Sequence, residues 1–400
     1  VNLAELRYSP DFRLEIGGAP VPAAVRGAVT GIRLETGIEG ADRAEITLAN
    51  AGLRWLDDPL FALDNSLALS LGYAPSQPEQ MFVGQIVAVA PTFPASGMPT
   101  LKVTAQDARF RLQQGKKLRW FAIPIPTVGN FPIPDILTAP LVTLENLLIP
   151  VIDPVGAAIA VILGGVEAIG AIADPGGAQK FIRKEANESD YHFLARLAKE
   201  NGWDMYVEHG GPAGGHVLRF QSPLGHLDPD LTLAYGRSLI EFTPRITTVG
   251  QIFSVTAFVW ISELKLTFAV NLGWDWDRMS LTLMIYPAGI TLQPGPSHFL
   301  IKDPVTPLTA PRRIIGELLP KLNNRLTGTG STIGNPAIKA GSVLRFEGLG
   351  ARFGGLYRVT KATHSLDQGG YRTEFDVRKE IWFGSIPAPA QGAVPVRTTF

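Results

Sequence analysis

Cysteine is absent from the 400 residues. That absence removes disulfides, zinc knuckles, thiol nucleophiles and iron–sulfur ligation together, and leaves the compartment open. Charge is scarce and has no excess sign. Charged residues are 18% of the chain, with Lys+Arg 36 against Asp+Glu 36. A dedicated nucleic-acid binder carries a basic excess, so no sequence-specific nucleic acid is expected as a partner. Zero net charge also gives little self-repulsion, as suits a chain held in an assembly. The first residues, VNLAELRYSPDF, lack a basic stretch followed by an apolar one, so no signal peptide is expected.

What is present points to β structure. Apolar residues make up 46%, which excludes a disordered chain. Gly 42 and Pro 32 together approach a fifth of the residues, favouring many short strands and turns. The length suits roughly two to three domains. We expect a mainly β (α+β) fold with two β blocks, an inserted α/β region and an apolar helical insertion.

The first block, a small barrel or sandwich, is expected over 1–115, where Phe12–Ile16, Arg43–Leu48, Ser66–Tyr73, Met81–Val89 and Leu101–Ala105 read as strands. Residues 116–180 form a Pro-rich apolar insertion. Within it Val155–Ala173 is 19 residues with one charge, Glu167. Its glycines and that glutamate weigh against a membrane span, so a buried or partner-covered helix is the plainer reading, and a segment that meets lipid or a hydrophobic partner inside an assembly is the sharper one. Ile159, Val161, Ile162, Leu163, Val166 and Ile169 are its candidate partner contacts. An α+β region is expected over 181–230: a helix at 187–202, capped by Asn187 or Ser189 and stopped by Gly202, then a hairpin. The second block should occupy 231–385, with a helix at 311–326 kinked at Pro320. Its last strand alternates strictly, so Arg372, Glu374, Asp376 and Arg378 form a candidate charged face. Residues 386–400 read as a flexible tail or docking arm.

No catalytic motif survives inspection, so no enzyme, cofactor or metal is expected. Gly328-Thr329-Gly330 and Gly348-Leu349-Gly350 begin like phosphate loops. Ile333 and Phe353 occupy the third glycine position, so both read as turns. His209 and His216 flank a Gly-rich loop and read as two solvated histidines, short of a four-ligand site. His364-Ser365 supports no relay, because triads join distant chain positions. Asp275 and Asp277 lie two apart and could share a strand face for acid/base work, but a solvated turn is the plainer reading. Glu241 and Arg245 mark a charged strand end.

Three stretches together carry a resemblance. One is the helix Ser189-Asp190-Tyr191-His192-Phe193-Leu194 continuing to Gly202-Trp203. Another runs from Leu239-Ile240-Glu241-Phe242-Thr243-Pro244 into Gly250-Gln251-Ile252. The most specific runs from Gly334-Asn335-Pro336 through Ala340-Gly341-Ser342 and Gly348–Thr360 to His364 and Tyr371–Phe375. Over roughly 180–380 the chain resembles the phage late-control D family, the baseplate hub of contractile tails. That family is related to the hub part of type VI secretion spikes and of extracellular contractile injection systems. The sequence departs from the family in its longer apolar insertion and in Trp260-Ile261-Ser262 with the further β segment to Tyr286.

The resemblance implies a non-catalytic homotrimer of paired tube-protein-like barrels that adapts a sixfold tail tube to a threefold spike. It implies contacts with the tail tube protein, a separate spike protein, the tape-measure protein and baseplate wedge proteins, in a virion or injection particle. A non-contractile tail tip, or a membrane-interacting or cell-wall-degrading tip protein, is the alternative.

Overall fold

The computed structural model describes residues 9–114, 116–119, 121–125, 129–173, 187–247, 254–261, 266–275, 280–286, 298–305 and 310–383. The first β block comprises β1 (Ser9–Ile16), β2 (Ala19–Pro20), α1 (Ala23–Ala28), β3 (Val29–Gly37), β4 (Arg43–Ala49), β5 (Ser66–Ala74), β6 (Glu79–Thr92) and β7 (Thr100–Gln106). Alternation makes these strands. In β4, Ala44, Ile46 and Leu48 are buried, while Arg43 and Glu45 point outward. The buried sides meet around Leu34, Leu69, Phe82 and Val103.

A middle layer follows: α2 (Arg109–Gln114), β8 (Ala122–Ile125), β9 (Gly129–Pro132), α3 (Asp135–Glu145), β10 (Ile149–Ile152), α4 (Pro154–Ala173), α5 (Asp190–Asn201), β11 (Asp204–Glu208) and β12 (Val217–Gln221). Strand β12 pairs antiparallel with β11 and parallel with β10. One core draws on both sides of the boundary expected at 180. Leu148 and Ala160 come from one side; Phe193, Leu197, Trp203 and Phe220 come from the other. The insertion is thus part of the α/β layer, because β10 completes its sheet. Helix α5 obeys its sequence signals. The Ser189 side chain accepts from His192 N–H, and Gly202 is left-handed at φ 69°.

The last part holds β13 (Leu231–Ala234), β14 (Leu239–Ile246), β15 (Ser254–Ile261), β16 (Leu266–Asp275), β17 (Ser280–Tyr286), β18 (His298–Val305), α6 (Ala310–Asn323), β19 (Leu326–Ile333), β20 (Val343–Glu347), α7 (Gly350–Phe353), β21 (Gly355–Asp367) and β22 (Gly370–Arg378). It departs from the single block expected over 231–385. Strands β15–β18 form their own sheet in the order β17-β16-β15-β18. That sheet buries Val255, Ala257 and Ile301 against Ile314, Leu318 and Leu322 of α6. Its hairpins pair locally and find a helix to cover them, so they never join the larger sheet. Helix α6 starts one residue before and ends three residues before the expected bounds, and runs through Pro320.

The remaining strands join the first block in one sheet, ordered β14-β19-β22-β21-β3-β4-β7-β6-β5-β1-β2, with β20 on β21 and β13 on β20. The joint is β21 against β3, from Lys361↔Gly37 to Leu366↔Ile32. Each block keeps its own core, the second around Phe346, Tyr357, Val359 and Phe375. The chain is therefore mainly β, with two β blocks set side by side, an α/β layer and a separate four-stranded sheet. The expected tail at 386–400 lies outside the described residues.

Candidate functional site

The strand registers place one polar face across β14, β19, β22, β21, β3, β4 and β7. Glu241 is opposite Ser331, which is opposite Glu374. Glu374 faces Thr363, then Glu35, Arg43 and Gln106. The next row holds Arg372, Ser365, Arg33, Glu45 and Thr104. Charges of both signs alternate and pair: Arg33 with Glu35, Lys361 with Glu35, Arg43 with Glu45, and Arg372 with Glu374. Such half-exposed pairs contribute little stability. Of the charged face read from β22, Arg372, Glu374 and Asp376 are exposed on this side of the sheet. Arg378 turns away. Its Nη2 reaches Asp204 Oδ2 at 2.7 Å and Glu380 Oε1 at 2.8 Å, tying the second block to the α/β layer.

The insertion presents an apolar face. On α4, Val161 and Ile162 are exposed, Ile159 is half-buried, and Ala160 between them is buried. The side chains of Leu163, Val166 and Ile169 lie outside the described residues. Sequence analysis missed the partner of this stripe. Leu137, Leu141 and Leu144 sit outward on α3, and Leu147 is 73% exposed just after it. Their spacing of four and three was the available signal. Helix α3 packs on α4, and both helices present apolar residues outward. Among the described residues no helix is long and apolar enough to cross a membrane. The first turns of α4 are committed to the layer: Asp153 Oδ1 accepts from the Val155 and Gly156 N–H groups, and Gly156 lies against the Trp203 indole.

His209 corrects the expectation of two solvated histidines. His216 is exposed, but His209 is buried, with Nε2 2.8 Å from Asp42 Oδ2. Its Nδ1 accepts the Val83 N–H, so the proton sits on Nε2 and is donated to Asp42. Arg109, fully buried, bridges Asp42 and Asp107 through Nη2 at 2.5 and 2.8 Å. Burial alone would raise the Asp42 carboxyl; the Arg109 charge and the His209 hydrogen bond outweigh it and hold the group below its ordinary range. Burial and the nearby Asp42 charge push Asp107 up. Asp42, Asp107 and His209 are close enough to ligate a cation. The cluster does not fit one: Arg109 already occupies the space between the two carboxylates, and neither histidine nitrogen offers the cluster a lone pair. It is a knot joining β4, β7 and the β11 end. Sequence analysis missed it because its members are far apart in the chain.

The most specific stretch of the resemblance lies where the parts meet. Gly341, at φ 84°, leaves no room for a Cβ against the Tyr206 ring. Ala340 N–H donates to Thr36 Oγ1, and Asn335 N–H to Thr373 Oγ1. Buried Arg358 donates to the carbonyls of Gly341, Pro223 and His226 and to Glu380 Oε1 at 2.9 Å. In the helix stretch, Tyr191 Oη accepts the Gly40 N–H and Asp190 takes Arg119 at 2.8 Å. These residues hold three parts in one arrangement around a cleft of about 620 Å³.

Among the described residues, the other weighed positions are not brought to a shared centre. His364 is buried, its Nε2–H donating to Ile338 O and its Nδ1 facing the Tyr371 and Thr373 hydroxyls. Glu241 and Arg245 are exposed on β14. Asp275 ends β16, while Asp277 and Gly250-Gln251-Ile252 lie outside the described residues. The two glycine-rich sequences are strand β19 and the turn into α7.

The fold is a tail-protein fold. The chain is similar to a tail protein of Neisseria meningitidis MC58, at 11% identity over 95% of this chain and all of that one, with a TM-score of 0.57. It is similar to the 43 kDa tail protein of prophage MuSo2 from Shewanella oneidensis, at 12% identity over 92% of this chain and 98% of that one, TM-score 0.58. An Escherichia coli component of the type VI secretion system, itself structurally similar to the T4 bacteriophage tail proteins gp27 and gp5, matches at 12% identity over 94% of this chain and 79% of that one, TM-score 0.55. No family model and no curated relative matches the chain.

Proposed function

We propose that this chain is the structural hub of a contractile tail or related injection particle, acting without catalysis. The observation that carries the proposal is the β21–β3 joint. One chain holds two β blocks side by side in one sheet, each with its own core. Three chains then present six blocks in a ring, matching a sixfold tube on one side and a threefold spike on the other. The tail-protein fold and the resemblance over 180–380 support the same role. Tube and spike proteins are the proposed direct partners, with tape-measure and wedge proteins as further neighbours in the particle.

Light scattering tests the stoichiometry. One chain is 43.1 kDa, and a particle of about three times that mass is expected. A stable dimer or tetramer would sink the hub assignment. Mixing with the tube protein and imaging by electron microscopy should place the trimer at tube ends.

The outward apolar residues of α3 and α4 support a second reading, contact with lipid or with an apolar partner inside the tip. Flotation with liposomes separates these. Binding lost in Val161→Asp/Ile162→Asp supports lipid, and no flotation of the parent chain excludes it.

A further inference from the structure

We propose that the proline-rich segment 384–400 of this chain, which lies outside the described residues, folds back into the cleft where the three parts meet and occupies it. The inference goes beyond the hub assignment and stands without it. The cleft is a cavity of about 620 Å³. Its floor is the outer side of the β10-β12-β11 sheet, where Tyr206 is opposite Arg219 and Arg219 is opposite Val151. Residues 79–81 of the first block form one wall, and residues 339–342 of the second block form the other.

The chain passes out of the described residues beside this cleft. Arg358 Nε donates to Glu380 Oε1 at 2.9 Å, and the Phe383 ring lies 5.6 Å from the Arg358 guanidinium carbon. The same guanidinium donates to the carbonyls of Gly341 and His226, both in the cleft lining. The segment therefore starts one arginine side chain from the cavity. As a polyproline helix rising about 3.1 Å per residue, 384–400 would span on the order of 50 Å, so reach is in excess. A short tether also gives the chain's own segment a high effective concentration, which favours it over the same segment of a free copy.

The chemistry of the two is complementary. Pro387, Pro389 and Pro395 leave the segment short of N–H groups, so side-chain donors to its carbonyls must hold it. The floor supplies such donors from two facing residues. Among the described residues the Tyr206 hydroxyl has no hydrogen-bond partner, and Arg219 gives only its Nε to Glu208, at 2.6 Å. Burial pushes the Tyr206 pKa up to about 12, so the hydroxyl keeps its proton for donation. Apolar Met81, Val151 and Ala340 suit the alanines, valines and prolines of the segment. The one charge in the segment is Arg397. Of the charged side chains open to the cleft, the carboxylates Glu79, Glu208 and Asp230 outnumber Arg219 and Lys339, so a further cation is accommodated.

The absence of native cysteine lets Ala390→Cys carry a single spin label on the full chain. The expected electron spin resonance spectrum is motionally restricted. Arg397→Glu, which leaves the described fold untouched, and Tyr206→Phe, checked by thermal melt, should each raise the mobile fraction severalfold. A synthetic peptide of residues 384–400, added above the ~mM effective concentration of a short tether, should do the same. With Lys339→Cys labelled as well, dipolar spectroscopy should give one short, narrow distance. A freely tumbling label in the parent chain would overturn the proposal. So would a restricted label that ignores both substitutions and the peptide, or a broad distance distribution, because the segment would then rest elsewhere. Restriction lost on diluting labelled chains with unlabelled ones would overturn it in favour of the cleft of a neighbouring copy.

Discussion

His364 is fully buried, and its ring nitrogens face the Ile338 carbonyl and the Tyr371 and Thr373 hydroxyls. Burial lowers its pKa to about 4, only partly opposed by the Ile338 carbonyl that accepts from Nε2. The unfolded histidine titrates near 6.5, so between pH 6.5 and 4 the unfolded chain binds a proton that the folded one refuses. Stability should be intact above pH 6.5 and fall by about 3 kcal/mol on the way to pH 4. Urea midpoints of the parent and His364→Gln across that range check this; an equal slope in both would reject it. Within the knot only the lowered Asp42 carboxyl has the usual carboxylate sign, and the raised Asp107 opposes it. The Asp42 contribution is present above pH 4 and is lost as the pH falls further. Replacing Arg109 by Met strands two buried carboxylates and should cost about 3–5 kcal/mol by urea unfolding. Restoring neutrality with Asp42→Asn and Asp107→Asn should recover part of that loss.

Among the elements, α5 is the most locally determined. Its cap, apolar stripe and terminal glycine agree with each other, and Ser189→Ala should cost about 1 kcal/mol in a thermal or urea melt. Helix α4 is the opposite case. Deleting 141–175, which its apolar run invites, would remove β10 and the core residues Leu148 and Ala160 along with the exposed face. Such a deletion tests folding, not docking. The discriminating change is Val161→Asp with Ile162→Asp, which leaves the buried residues alone. It should leave the melting temperature within a few degrees while preventing incorporation into particles, measured by complementation and pull-down. Unimpaired particles would show that the surface is not a contact.

For the whole molecule, the polar face of the large sheet carries both signs in pairs. Reversing one sign with Glu35→Lys/Glu45→Lys/Glu374→Lys removes its balance without touching a core. The expected outcome is near-parental stability, within about 0.5 kcal/mol per site, with new retention on an anion column such as heparin. A large drop in stability would mean the pairs are structural. The β blocks were legible because a half-buried strand alternates: Arg43–Leu48 and Tyr371–Arg378 state which side is core. The separation of β15–β18 from the larger sheet was not legible, since a strand's sequence records that one face is buried and not against what.

By itself the sequence determined the strand-rich class, helix α5 with both its ends, the absence of thiol chemistry, and a family resemblance concentrated in glycines and small polar residues. Local rules suffice there, because period, caps and turn residues act within a few positions. Tertiary structure alone decided that Asp42, Asp107, Arg109 and His209 form one knot, that Arg378 leaves its charged face for Asp204, that α3 packs on α4, and that two β blocks share one sheet. Each depends on chain segments far apart, brought together by covering apolar faces, and that interaction has no directional record in the residues that make it.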